Sequence, residues 1–145
     1  MADQKMNEIE RQEFLAGLHV GVLGIERADG PPLLLPVWYS YAPGGDVEVL
    51  TSASSLKGRL AAAAGRASLC AQQEELPYKY VSVEGSLAID ALGDDAHAAT
   101  EPMAVRYLGD EMGRTYAAGN VGSDEIRLRI QPERWFSVDY GKSAG

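Results

Sequence analysis

Between Pro31 and Tyr41 the apolar residues fall on alternate positions. Leu33, Leu35, Val37, Tyr39 and Tyr41 share one face, while Leu34, Pro36, Trp38 and Ser40 share the other. A period of two predicts a strand with one covered face. Pro36 has no amide to donate, so this strand has an edge or a bulge there, with backbone groups left free to meet a ligand. Lys79–Asp90 alternates in the same way, with Val81, Val83, Leu87 and Ile89 facing away from Tyr80, Ser82, Glu84 and Ser86. Gly85 in its middle predicts a bend or the close approach of another backbone. In Asp124–Gln131 the residues Ile126, Leu128 and Ile130 point inward and Arg127 and Arg129 outward. His19–Ile25, Val47–Leu50 and Arg66–Gln72 read as three further strands, and Trp135–Val138 as a brief final extension. Ala28-Asp29-Gly30 and Pro43-Gly44-Gly45-Asp46 supply turns.

Helical patterns lie between these strands. Asn7–Leu18 has an apolar side of Phe14, Leu15 and Leu18, and Leu56–Ala64 has helix-forming composition despite Gly58. Asp94 or Asp95 is placed to cap a helix running toward Leu108, with Pro102 disturbing its early part. Gly109–Gly122 is glycine-rich and reads as irregular, apart from one turn around Arg114–Ala118. Six mostly antiparallel strands with short turns predict a small β-barrel decorated by helices, whose closure removes exposed edges. The 145 residues suit a single domain with a sizeable core.

Charge narrows the function. Thirteen basic against 21 acidic residues give a net charge of −8, which argues against nucleic acid as a general partner because phosphate neutralisation needs a broad basic surface. The opening MADQKMNEIERQEF lacks the apolar core of a signal peptide, and no apolar run is long enough to span a bilayer, so no membrane partner is expected. The single cysteine, Cys70, precludes an intrachain disulfide framework and makes the reducing cytoplasm the simplest location. It falls in a strand and reads as a small core residue.

One stretch departs from the acidic background. From Val49 to Gln73 there is no Asp or Glu, but there are Lys57, Arg59 and Arg66. Within it, the hydroxyl-rich turn Thr51–Ser55 precedes the Leu56–Ala64 helix, with Ser54 or Ser55 as N-cap. Lys57 lies in the first turn, where the helix dipole disfavours a cation unless an anion is near. Amides, hydroxyls and a lysine together make a phosphate cradle. The same residues also describe a capped helix with a solvated lysine, and the glycine spacing of a P-loop is absent.

Catalytic constellations are scarce. The histidines are His19 and His97; no HExxH motif, cysteine pair or carboxylate cluster has metal-ligand spacing, and neither GxSxG nor GxGxxG occurs. No metal site and no catalytic side chain are therefore assigned. An enzyme built on this chain would draw its reactive atom from a bound cofactor.

The segments VGVLGIERADG, LLPVWYSY, VLTSASSLKGRL, RASLC, PYKYVSVEG and PERWFSVDYGK, in this order and spacing, carry a family likeness. From about Glu13 to Lys142 the chain resembles the flavin and deazaflavin oxidoreductases of the pyridoxamine 5′-phosphate oxidase-like split-barrel superfamily. The resemblance implies a six-stranded antiparallel split barrel forming a homodimer, with cofactor in a groove between subunits. It implies that Thr51, Ser52 and Lys57 bind the cofactor phosphate and that Pro36, Val37 and Trp38 lie along the ring. Pro77, Tyr78, Tyr80 and Trp135 complete the pocket, from this chain or its partner. Tyr39 and Tyr41, with Tyr78 and Tyr80, are candidates for the substrate side. Two departures stand out: Leu56-Lys57 where the vitamin-salvage oxidases have Arg-Lys, and Tyr80 near the place of a glutamine. The PVWY, YVSVEG and PERWFSVDYGK segments are closer to the deazaflavin branch. The expectation is an oxidoreductase that uses coenzyme F420 to pass hydride to a small electron-poor organic substrate. FMN on the same fold, or a flavin- or deazaflavin-binding protein without turnover, are the alternatives.

Overall fold

A computed structural model describes residues 3–143. The first helix, α1 (Glu8–Ala16), starts at a capping box in which Asn7 Oδ1 accepts from the Glu10 amide and Glu10 Oε1 accepts from the Asn7 amide, each at 2.9 Å. There follow β1 (Gly21–Ile25), β2 (Leu33–Val37), β3 (Val47–Ser52), α2 (Leu56–Ala64), β4 (Arg66–Gln73) and β5 (Lys79–Ala91). A short 3₁₀ turn leads into α3 (Ala96–Leu108), then α4 (Asp110–Gly119), β6 (Glu125–Ile130) and β7 (Arg134–Asp139). No helix among the described residues is long and apolar enough to cross a membrane.

The strands pair antiparallel in the order β2-β1-β4-β5-β6-β3, with β7 on β5 beside this path. The sheet curls so that its inward residues form one core, in which Leu15, Leu23, Ile25, Tyr39, Val47, Val49, Leu69, Val81, Val83, Leu128 and Ile130 are fully buried. Alternation on each strand puts these side chains on the concave face. The end strands of the order, β2 and β3, do not pair with each other. Beyond β2, Ser40 and Glu48 make one isolated bridge through bonds of 3.0 and 2.9 Å. The barrel is split along this seam.

The long strand β5 holds the two halves together. Lys79–Glu84 pairs with β7, and Leu87–Ala91 pairs with β6. The change of partner falls at Gly85, where a Cβ would lie 1.7 Å from the carbonyl oxygen of Gln131. The expected close backbone approach is therefore present, and only glycine fits it.

Several expectations are corrected. The final extension is a full strand, β7, paired with β5 beside the six-strand path. The Pro31–Tyr41 strand is confined to Leu33–Val37. Past the kink at Gly85, Ile89 is 39% exposed and does not join Val81 and Val83 in the core. Gly109–Gly122 is mostly helical. Gly113 breaks nothing there, because it is the contact at which α4 closes on α3, a Cβ lying 2.5 Å from the Val105 backbone. Neither Asp94 nor Asp95 makes a side-chain cap. Leu18 is exposed beyond the end of α1, and Cys70 is half-buried on the outer side of β4.

Candidate functional site

Where β2 and β3 diverge, a cavity of about 560 Å³ opens. Pro36, Val37 and Trp38 line it from the end of β2, and Leu50, Thr51 and Ser52 from β3. Lys57 enters from α2, Thr100 and Met103 from α3, Tyr116 and Asn120 at the end of α4, and Glu125 from β6. Its volume falls within the roughly 300–1,000 Å³ typical of small-molecule and cofactor sites.

The turn at its base is organised by Ser55, which caps α2. Ser55 Oγ accepts from the Gly58 amide at 3.0 Å and donates to Ser52 O at 2.7 Å. With that proton committed, the 3.0 Å contact to Thr51 Oγ1 has Thr51 as donor. Gly58 is required by closeness: a Cβ would stand 2.4 Å from Ser52 O. The helix thus starts pressed against the end of β3. Among the described residues, the amides of Leu56 and Lys57 have no acceptor.

Lys57 is half-buried and makes no hydrogen bond or ion pair among the described residues. Desolvation holds its ammonium below the ordinary lysine range, opposed by the nearby Glu125 carboxylate. The basic island of the sequence is dispersed in space. Arg66 turns away into an ion pair with Glu26 at 2.6 Å, and Asp124 takes the Ser54 amide and hydroxyl at 3.0 and 2.6 Å. What remains for an anion is Lys57, the two free amides and the Ser52 hydroxyl.

The aromatic part of the cavity is fixed from behind. Trp38 stacks on Tyr107 with centroids 5.2 Å apart and planes 5° apart, and meets Tyr116 at 5.3 Å and 57°. Tyr107 Oη accepts from the Tyr39 amide at 3.0 Å and donates to His19 O at 2.6 Å.

No family model and no curated protein matches the chain. Solved structures do. A conserved hypothetical protein of Mycobacterium tuberculosis superposes with a TM-score of 0.81 at 24% identity, over 100% of this chain and 92% of that one. A structure named F420 reductase follows at 0.68 and 19%, over 86% and 94% of the two chains. A pyridoxamine 5′-phosphate oxidase-type protein of Listeria innocua gives 0.68 and 12%, over 90% and 96%. This chain has the pyridoxamine 5′-phosphate oxidase-like split-barrel fold.

In this split barrel, six of the expected cofactor residues meet in one cavity: Pro36, Val37, Trp38, Thr51, Ser52 and Lys57. The other four lie elsewhere in the chain. Pro77 and Tyr78 belong to the loop before β5, where Pro77 O accepts from Gln73 Nε2 and Tyr78 O from the Tyr140 amide; Tyr80 follows on β5 itself. Trp135 is on β7, beneath the Arg11 guanidinium at 4.9 Å and edge-on to Tyr41 at 6.1 Å. The substrate-side assignment of two tyrosines is corrected. Tyr39 is 0% exposed and donates its hydroxyl to Leu15 O at 2.7 Å, so it belongs to the core. Tyr41 is buried against Trp135, outside the cavity. Sequence reading missed the α3–α4 wall. The four-residue step from Tyr116 to Asn120, one helical turn, is the signal that was available for α4.

Proposed function

We propose that the split barrel binds a flavin-type cofactor in this cavity and acts as an oxidoreductase, with deazaflavin F420 preferred to FMN. The observation that carries the reading is Lys57: a half-buried cation with no hydrogen bond or ion pair among the described residues, beside two free helix-start amides. Such a group costs stability unless an anion meets it. The neighbours named for F420 and pyridoxamine phosphate chemistry support the same class.

The preference for F420 follows from charge. FMN carries a phosphate monoester of about −1.5 to −2, whereas the phosphodiester of F420 carries a single charge. Here one lysine faces the anion, Leu56 brings no second cation, and Glu125 lies nearby. That balance suits a singly charged phosphodiester group better than a phosphate monoester.

When bound, the reduced deazaflavin supplies a hydride to an electron-poor acceptor. Lys57, Ser52 and the Leu56 and Lys57 amides anchor the anionic end. Pro36–Trp38 offers edge-strand backbone and an indole along the ring, while Val37 and Met103 exclude water. A second copy of the chain brings Trp135 and Pro77–Tyr80 to the open side. The test is fluorescence titration of wild type and Lys57→Ala with F420 and FMN, followed by turnover of reduced F420 with candidate acceptors. Micromolar FMN binding without F420 binding would reverse the cofactor preference, and binding of neither would remove the reading.

A further inference from the structure

Glu125 opens β6 directly opposite Ser52 of β3 and lines the cavity together with Lys57. Its Oε1 accepts from the Gly122 amide at 3.2 Å and its carbonyl oxygen from the Leu92 amide at 3.0 Å, so the turn into β6 holds this carboxylate in place. No ion pair among the described residues joins it to Lys57. Desolvation lowers the Lys57 pKa, and the charge of Glu125 opposes that shift through space. The neighbouring Asp124 is spent differently, on the amide and hydroxyl of Ser54. Glu125 is thus the one acidic side chain lining a cavity whose other charged group is Lys57. A carboxylate there weakens the hold on any anion, in proportion to the charge of that anion.

We infer that Glu125 is a specificity-determining residue of the anion cradle, placed to disfavour a phosphate monoester more than a phosphodiester. A monoester carries a charge of about −1.5 to −2 at neutral pH and takes up a proton as pH falls through about 6, whereas a diester carries one charge throughout. Repulsion by one fixed carboxylate is therefore nearly twice as large for the monoester. Lys57 cannot make this distinction in favour of the diester, because its attraction grows with ligand charge as well. Glu125 offsets that growth. The inference rests on the cofactor reading of this cavity and adds to it the side chain that sets which kind of phosphate is accepted.

The probes are FMN, its monomethyl ester and riboflavin, which share one ring and carry a phosphate monoester, a phosphodiester and no phosphate. Fluorescence titration measures each against wild type, Glu125→Gln and Glu125→Ala at matched thermal stability. Glu125→Gln keeps an oxygen for the Gly122 amide, and Glu125→Ala removes the charge by a second route. At about pH 7.5 loss of the carboxylate should tighten FMN about tenfold, the ester about threefold and riboflavin not at all. At about pH 5.5, where FMN is mostly singly charged, its gain should shrink to that of the ester. Lys57 from α2, Tyr116 from α4 and the adjacent Asp124 are the other titratable groups around this carboxylate, and comparing FMN with its ester in each protein cancels their part. Equal gains for FMN and its ester at pH 7.5, or no gain, overturn the inference. So does a Glu125→Gln protein that ignores FMN while wild type binds F420 through Lys57, because the ring then makes the choice; that result removes this inference alone. Failure of wild type to bind F420 or FMN removes the cofactor reading itself, and this inference with it.

Discussion

Trp38 and Tyr107 stack almost parallel, 5.2 Å between centroids, and the hydroxyl of Tyr107 ties the same helix to the backbone of Tyr39 and His19. One residue of α3 therefore both supports an indole of the cavity and fastens the helix to the barrel. These two functions are separable by mutation. Tyr107→Phe keeps the ring and strands the Tyr39 amide, and should cost about 1–3 kcal/mol in denaturant unfolding with cofactor affinity nearly unchanged. Tyr107→Leu also frees Trp38, and should shift tryptophan emission and weaken cofactor binding. Equal cofactor affinity in both variants would show that the stack does not position Trp38.

Lys57 should reveal itself through pH as well as through mutation. Its pKa in the folded chain lies below the ordinary lysine value of 10.5, chiefly through desolvation. The unfolded chain therefore binds this proton more tightly, and stability from this group rises with pH between the lowered value and 10.5. Below that window the penalty is fully present. Lys57→Met should remove it, so the cofactor-free variant should melt no lower than wild type at pH 7 and lose this pH dependence. Cofactor affinity should move the other way, falling about tenfold or more in Lys57→Met with the charge-assisted contact. A variant that loses stability and keeps affinity would mark Lys57 as structural.

Gly58 offers a geometric check on the cradle. Its missing Cβ allows α2 to start 2.4 Å, in Cβ terms, from Ser52 O. Gly58→Ala should improve helix propensity by roughly 1 kcal/mol, yet push the amides of Leu56 and Lys57 away from Ser52. Weaker cofactor binding despite better propensity, measured beside Arg59→Ala as an exposed control, is the expected outcome. Undiminished affinity would mean that the close approach serves only packing.

Much of the fold was legible because the barrel strands obey a period of two. Val81 and Val83 or Leu128 and Ile130 announce their inward face from spacing alone. Gly85 announced its close contact because a glycine inside a strong strand needs a steric reason. Gly113 misled for the opposite reason: in α4 the glycine exists to let two helices touch, which composition reads as irregularity. At the site, Lys57 and the Thr51–Ser55 turn were visible as local chemistry. Thr100, Tyr116 and Asn120 were not, since they reach the cavity only through the docking of α3 and α4, a long-range event with no local signature. Tyr39 was misplaced for a different reason. Alternation gave its face correctly, and burial in the core followed from that face.

The last expectation is a homodimer. Cross-strand partners on the convex face form the row Pro36, Val22, Cys70, Ser82 and Phe136, reading across β2, β1, β4, β5 and β7. The neighbouring row runs Leu34, Gly24, Ser68, Glu84 and Arg134. Val22 is 40% exposed, Phe136 48% and Leu34 67%, with small residues between them and the Glu84–Arg134 ion pair at the β7 end of the second row. Exposed apolar side chains on either side of a strip of small residues offer a surface for a partner, and the face can meet a second copy across a two-fold axis. The row begins at Pro36, which also lines the cavity, so a partner on this face stands beside the cavity mouth. Such a partner is placed to add exposed residues that lie remote from the cavity in one chain, Tyr78 among them. Sedimentation should give a dimer for wild type. Phe136→Glu and Leu34→Glu, singly and together, should shift it to monomer with far-UV dichroism unchanged, because both side chains point to solvent in the protomer. Cofactor affinity should fall as dimerisation is lost and recover at high protein concentration in the single variants, as mass action requires. A monomeric variant that binds cofactor as tightly as wild type would place the whole site within one protomer and sink the shared groove.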